Sequence, residues 1–244
     1  MASVNRVYSA LKDLVNKDQR GFVTPAVFNN FAQVAQMNIF NGMFDSIAQS
    51  KIVRLRNADP MMDKSTTKRV EEDLSTFIKR ATISQANGVF AKPTDLARVI
   101  SATTSGSILL DRTTKVNIPF VYDTFKLDYI LSSELSVPTE NQPIATMLND
   151  IEVYPTGIKK IILTYYKQPQ GLVPSTGAKT TAMPRFGYTV VAGKELYSAT
   201  NSVDFELPEQ YFAELVIEIA KLIGVNLRDT DVYAYAKQET QPQQ

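Results

Sequence analysis

The hydrophobic period changes near residue 80, and that change constrains the fold more than any single motif. Behind Ser3, the residues Val4, Val7, Tyr8, Leu11, Leu14 and Val15 recur at helical spacing, which predicts an amphipathic helix over 3–17. Thr24 followed by Pro25 reads as an N-cap with proline at the first helical position. The apolar stripe Phe28, Phe31, Ala32, Ala35, Ile39, Met43, Phe44 and Ile47 then predicts a long helix to about Gln49. Asn57 to Met62 contains a proline and breaks the pattern, after which Val70, Leu74, Phe77 and Ile78 predict a third helix over 64–80. The expectation for residues 1–80 is a helical bundle.

From Ala81 the texture is that of short strands. Asn87-Gly88 is a turn signal, and 88–91, 97–103, 107–111 and 115–120 carry β-branched or aromatic residues between polar breaks. Phe125, Tyr129, Ile130 and Ser133 fit a helix within 122–135, ending before Pro138. The runs 151–154 and 158–166 read as a strand pair across Pro155-Thr156-Gly157, with Lys159-Lys160 opening the second. Residues 168–184 read as an exposed loop rich in Pro, Gly, Ser and Thr, and 188–191 and 203–207 as closing strands. Helical spacing resumes at Pro208 through Tyr211, Phe212, Leu215, Val216, Ile219 and Leu222, with Gly224 where a C-terminal cap glycine belongs. A last short helix is expected from Asp229 through Val232, Tyr233 and Ala236, then a flexible polar tail over 239–244.

Composition limits the chemistry. The 244 residues include no Cys, His or Trp, which excludes disulfides, thiolate or imidazole metal sites, and Ser-His-Asp or Cys-His nucleophile systems. Carboxylate or lysine chemistry and oxygen-ligand Mg or Ca binding stay open. Lys and Arg total 26 against 25 Asp and Glu, so no global field favours nucleic acid or an anionic membrane. Met1 to Tyr8 holds one Arg with no apolar run behind it, and no stretch reaches about 18 apolar residues, so neither a signal peptide nor a membrane span is expected. Synthesis and folding in the cytoplasm are the expectation.

Several patterns imitate sites. In GLVPSTGAKT (171–180), five residues separate Gly171 from Gly177 and Ala178 intervenes before Lys179, which departs from a phosphate-binding loop. Met183-Pro184 stands where that motif needs a helix. Glu71, Glu72 and Asp73 are consecutive on a helix and so diverge, reading as a solvated face. Asp229 and Asp231 read as a helix cap and first-turn dipole partner. No catalytic, cofactor-binding or metal-binding residue is assigned.

Charge and aromatic patterning point to association instead. Lys51, Arg54, Arg56, Lys64, Lys68 and Arg69 face only Asp59 and Asp63 within 51–69, whereas 127–158 holds Asp128, Glu134, Glu140, Asp150 and Glu152 and no basic residue. Such segments are either solvated surface or complementary faces of a subunit boundary. Phe186, Tyr188 and Tyr197, near the loop, are candidate interface anchors. The candidate interface set is Arg54, Arg56, Glu134, Glu140, Leu172, Val173, Phe186 and Tyr188.

Three stretches carry a resemblance over almost the whole chain: VYSALKDLVNKDQRGFVTPAVFNNFAQVAQMNIF, IEVYPTGIKKIILTYYKQP and VDFELPEQYFAELVIEIAKLIGVNLRDTDVYAYAKQET. In order and spacing they resemble the virion ring proteins of crAss-like tailed bacteriophages. The resemblance implies a non-catalytic head-to-tail connector or tail adaptor, made in the host bacterial cytoplasm and located in the portal–tail region of the virion. It implies a homo-oligomeric ring, a dodecamer, stacked between the portal protein and adjacent ring or tail proteins. Genomic DNA would pass through its channel without sequence-specific contact.

The sequence as a whole thus predicts an α+β fold: a helical bundle over 1–80, a β-rich part over 81–207 with its exposed loop, and C-terminal helices over 208–238 joining the bundle. The expected function is that of a structural ring subunit without cofactor or membrane contact. The alternatives are another tail-hub or tube component, or a carboxylate-dependent hydrolase built on two carboxyls about 5 to 9 Å apart.

Overall fold

The computed structural model describes residues 1–17, 23–56, 64–104, 107–109 and 112–226. Among these are five α-helices: α1 (Val4–Lys17), α2 (Pro25–Arg56), α3 (Lys64–Ser75), α4 (Thr124–Ser132) and α5 (Phe212–Asn226). The strands begin with β1 (Ile78–Ala86), β2 (Val89–Phe90), β3 (Leu96–Thr104), β4 (Ser107–Leu109), β5 (Arg112–Thr114), β6 (Asn117–Ile118), β7 (Ile144–Met147), β8 (Ile151–Tyr154) and β9 (Lys160–Lys167). They continue with β10 (Gly171–Leu172), β11 (Lys179–Thr180), β12 (Tyr188–Val191), β13 (Lys194–Tyr197) and β14 (Asp204–Phe205). The chain divides into a central unit, Leu74–Gln168, and a discontinuous unit, Met1–Asp73 with Pro169–Gln244.

The central unit is a nearly closed barrel. Its seven strands run β6-β3-β9-β1-β2-β8-β7, every pair antiparallel. A parallel bridge between Phe120 and Ala145 brings the two edges together, with Val121 N donating to Ala145 O at 2.7 Å and Ala145 N to Pro119 O at 3.0 Å. Closure removes the open edges that would otherwise template pairing with other chains. β9 alternates strictly, with Ile161, Leu163 and Tyr165 fully buried and the intervening residues facing outward. These three join Phe90, Ala102, Ile118, Ile151 and Val153 in one core. Asn87 and Gly88, at φ 52° and 88°, form the two-residue turn between β1 and β2, so the Asn-Gly signal marks a true hairpin. β3 carries two irregularities against β9, the kind of bulge that bends a strand around a barrel.

In the discontinuous unit, helices and short strands share one core. Thr24 caps α2 by accepting from Val27 N at 3.3 Å. Asn29 and Gln36 stand seven residues apart on α2, hence on one face. Asn29 pairs with both backbone groups of Phe186, at 2.7 and 3.1 Å. Gln36 donates to Gln170 O at 2.9 Å and accepts from Glu206 N at 3.0 Å. Phe186 lies 4.3 Å from the Tyr8 ring of α1, which is itself 5.1 Å from Phe28 of α2. Each such pair contributes about 1 kcal/mol beyond its buried area.

These contacts overturn the expected fold class. The chain is mixed α/β around a nearly closed antiparallel sheet; it does not build an N-terminal helical bundle with a β-rich middle part and C-terminal helices packed back on that bundle. The physical reason lies on α2, whose inward amides bind extended backbone while Phe186 fills the space between α1 and α2. α5 lies beside α2 and α1, and β14 lies against α1, within this mixed core. The third helix ends at Ser75 instead of reaching Arg80, because Ile78–Ala86 alternates in exposure as β1.

Other local expectations change too. β8 and β9 do not pair with each other: β8 lies between β2 and β7, and β9 between β3 and β1. Residues 168–184 are not a free loop. Gly171 and Leu172 are buried in β10, between β11 and β14, and Gly177 turns the chain at φ 64°. Gly224 lies inside α5, which runs to Asn226. The last short helix from Asp229 and the tail lie outside the described residues.

Candidate interaction surface

The most unusual surface belongs to α4. Asp123 caps it by accepting from Phe125 N at 3.0 Å and Lys126 N at 3.4 Å, and the helix ends at Ser133, ahead of Pro138. Leu127 is its one buried residue. Phe125 and Tyr129, an i, i+4 pair, point the other way and are 85% and 75% exposed. Tyr122 extends the stripe, stacked on Phe120 with ring centroids 6.1 Å apart. Leu135 and Val137 lie exposed just beyond the helix, at the rim of a 530 Å³ cleft lined also by Ile130, Pro143 and Ile144. An aromatic face this exposed is the kind of patch that distinguishes interaction surfaces from ordinary ones.

The segment that follows α4 is rich in carboxylates. Glu134 and Glu140 are exposed, and Glu140 lies close enough to Gly157 that a Cβ there would meet its Oε1 at 3.3 Å. The Tyr154 hydroxyl donates to Glu152 Oε2 at 2.8 Å. That hydrogen bond, then burial, then the charges of Glu152 and Asp128, push the Tyr154 phenol up. Asp128 of α4 and Glu152 of β8 therefore sit on the same side of the barrel.

A second apolar surface lies on the discontinuous unit. β12 and β13 form a two-stranded hairpin turned by Ala192 and Gly193, both at positive φ. Tyr197 anchors its base 5.4 Å from Phe186, whereas Val190, Val191 and Leu196 are exposed. A hairpin with no third strand is marginal in water by itself, and here the packing of Tyr197 on Phe186 ties it to its unit.

The remaining candidate residues separate by burial. Leu172 and Phe186 are each 4% exposed and lie in the core of the discontinuous unit. Val173 is half-buried, and Tyr188 is 37% exposed on β12. Arg54 and Arg56 fall in the last turn of α2, and their side chains lie outside the described residues. Lys68 pairs with Glu72 at 3.8 Å on α3. Phe125 and Tyr129 were not distinguishable from core residues by spacing, because an apolar i, i+4 pair has the same period whether it faces inward or outward, and the same holds for the strand residues Val190 and Leu196 at their two-residue period.

One further cleft, of 360 Å³, lies in the discontinuous unit among Met43, Arg69, Asp73, Gln210, Tyr211 and Glu214. Asp73 accepts from Tyr211 Oη at 2.8 Å and from Gln210 Nε2 at 2.5 Å, so it is not simply part of a solvated face. Burial first, then Asp73, push the Tyr211 phenol up, and burial followed by Glu218 raises the Glu214 carboxyl. Among the described residues no group of three or more acidic side chains is placed to hold a metal ion, and no helix is long and apolar enough to cross a membrane. Compared with protein-family models, the chain matches none, and a search of curated proteins finds no match.

Proposed function

We propose that this chain is a structural ring subunit of the portal–tail connector of a tailed bacteriophage, joining head to tail around the DNA exit channel. The observation that supports this reading best is the outward aromatic face of α4, which offers apolar contact area. A ring subunit needs such a face, since a head-to-tail interface buries apolar surface that a monomer leaves in water. The rings stacked above and below would be the portal and its tail neighbours. Near-neutral net charge suits a channel component that must let DNA slide.

The test is native mass spectrometry with negative-stain imaging of the purified chain, alone and mixed with portal and tail proteins. A closed ring supports the reading, and a monomer in both samples overturns it. Stacking on tail proteins but not on portal would instead favour a tail-hub or tube component. The hydrolase reading draws on the cleft that holds Asp73 and Glu214. Both Asp73 oxygens are hydrogen-bonded to Gln210 and Tyr211, the role of a structural tie between α3 and the start of α5.

A further inference from the structure

We infer that the barrel of the central unit carries both halves of a head-to-tail contact, its acidic α4 face docking on the basic outer face of β1, β9 and β3 of a second copy. The inference rests on the ring reading above and names the surfaces that would close the ring.

The two faces differ in charge by sequence and in place by topology. The run 127–158, which forms most of α4 with β7 and β8, has five acidic residues and no basic one, and the exposed Lys126 of α4 stands just before it. On their outward side the strands β1, β3 and β9 carry Arg80, Arg98 and Lys160 and no acidic residue, whereas Lys79 is paired with Asp95 and Lys167 is buried. In the strand order, β9 and β1 lie in the middle and the β6–β7 seam closes the ends, so the two faces are on opposite sides of the barrel.

The basic face is also apolar enough to receive aromatic side chains. Register pairs Ile78 with Tyr166 and Arg80 with Thr164, and Ser84 with Lys160, on the outward side of β1 and β9. Ile78 and, on β3, Ile100 are each 43% exposed. Among the described residues, Arg80 and Lys160 pair with no carboxylate of their own chain. A strand surface that exposes two isoleucines among cations is the complement of the exposed Phe125–Tyr129 stripe on a segment whose only charges beyond Lys126 are acidic.

Opposed faces on one subunit produce a heterologous contact, which is not satisfied in a dimer and propagates until the ring closes. Like charge on like charge opposes acidic-to-acidic or basic-to-basic pairing, so the same residues that attract also fix direction.

The experiment uses the full chain in two variants, one with E134K and E140K, the other with R80E and K160E. All four positions are exposed, and circular dichroism checks that each variant folds. F125S, which changes the same acidic face without altering charge, serves as a second variant there. Sedimentation velocity and native mass spectrometry are expected to show rings for the unaltered chain and monomers for each variant alone, with association at least about 100-fold weaker. An equimolar mixture of the two charge variants should give rings in which the variants alternate, because the intact face of each meets the intact face of the other and the two reversed faces again carry opposite charge. Combining all four reversals in one chain should restore the ring. If the folded variants still form rings, the contact lies elsewhere and this inference falls while the ring reading stands. If the folded variants form symmetric dimers by themselves, or their mixture stays monomeric, the inference also falls. An unaltered chain that never assembles removes both.

Discussion

The side-chain carbonyl of Gln36 accepts a hydrogen bond from the backbone N–H of Glu206 at 3.0 Å, 170 residues away, while its amide nitrogen donates to Gln170 O at 2.9 Å. Gln36 is 1% exposed, and one helix side chain thereby satisfies two strand-like backbone groups that water does not reach. Glu206 itself is fully buried, with its carboxylate accepting from Gln170 N at 3.0 Å and facing Lys179 at 3.3 Å.

Replacing Gln36 by Leu keeps the volume but leaves a buried N–H and a buried C=O unpaired. The expected loss in unfolding free energy is about 2–4 kcal/mol. Urea unfolding of the full chain measures it, and a loss below about 1 kcal/mol would mean that the two backbone groups find other partners.

Gly171 lies where β10 passes between β11 and β14, and a Cβ there would come within 2.0 Å of Val203 Cγ1 and 2.8 Å of Ala182 O. Gly171→Ala is therefore expected to destabilise by about 2–3 kcal/mol. Adding Val203→Ala should recover part of the loss, because the nearest clash is with that side chain, and the Ala182 carbonyl keeps the recovery incomplete. Equal midpoints for Gly171→Ala and the unaltered chain would show that the strands separate at no cost.

Asp95 and Lys79 should give the central unit a pH-dependent stability. Burial pushes Asp95 up, but the hydrogen bonds from Lys79 at 2.7 Å and from Tyr165 at 2.8 Å outweigh it, and its carboxyl ends below the ordinary value. The hydrogen bond to Asp95 raises Lys79. A depressed carboxyl stabilises the fold above its unfolded pKa, and that contribution is lost as pH falls through the folded value. A raised lysine stabilises below its unfolded pKa and loses this as pH rises through the folded value. Asp95→Asn should thus cost stability at pH 7, with the gap to the unaltered chain closing on acidification. Asp204 and Glu214, both raised chiefly by burial, act with the opposite sign, so their protonation favours the folded state. A gap constant from pH 7 to pH 2 would contradict the assignment for Asp95.

Asp123→Ala removes the acceptor that caps α4, at a cost of about 1 kcal/mol to that helix. Hydrogen exchange should quicken across Thr124–Ser132 with little change in β9, whose amides are paired on both sides. Ring formation should weaken in step, since the Phe125–Tyr129 stripe keeps its geometry only while the helix holds. Faster exchange in α4 with assembly unchanged would separate the helix from the interface.

Local elements were legible where a signal acts within a few residues. Thr24-Pro25 starts α2 and Asn87-Gly88 turns β1 into β2, because caps and turns are decided by neighbours in the chain. The absence of Cys, His and Trp likewise limits the chemistry of any fold the chain adopts. Long-range pairing was not legible. That β8 and β9 lie apart, that Phe120 meets Ala145 to close the barrel, and that Gln36 reaches Glu206 all depend on which distant surfaces bury together. The α4 stripe shows the limit most plainly, since apolar spacing states that Phe125 and Tyr129 share a face, and only tertiary packing, which buried Leu127 instead, decides that this face meets solvent.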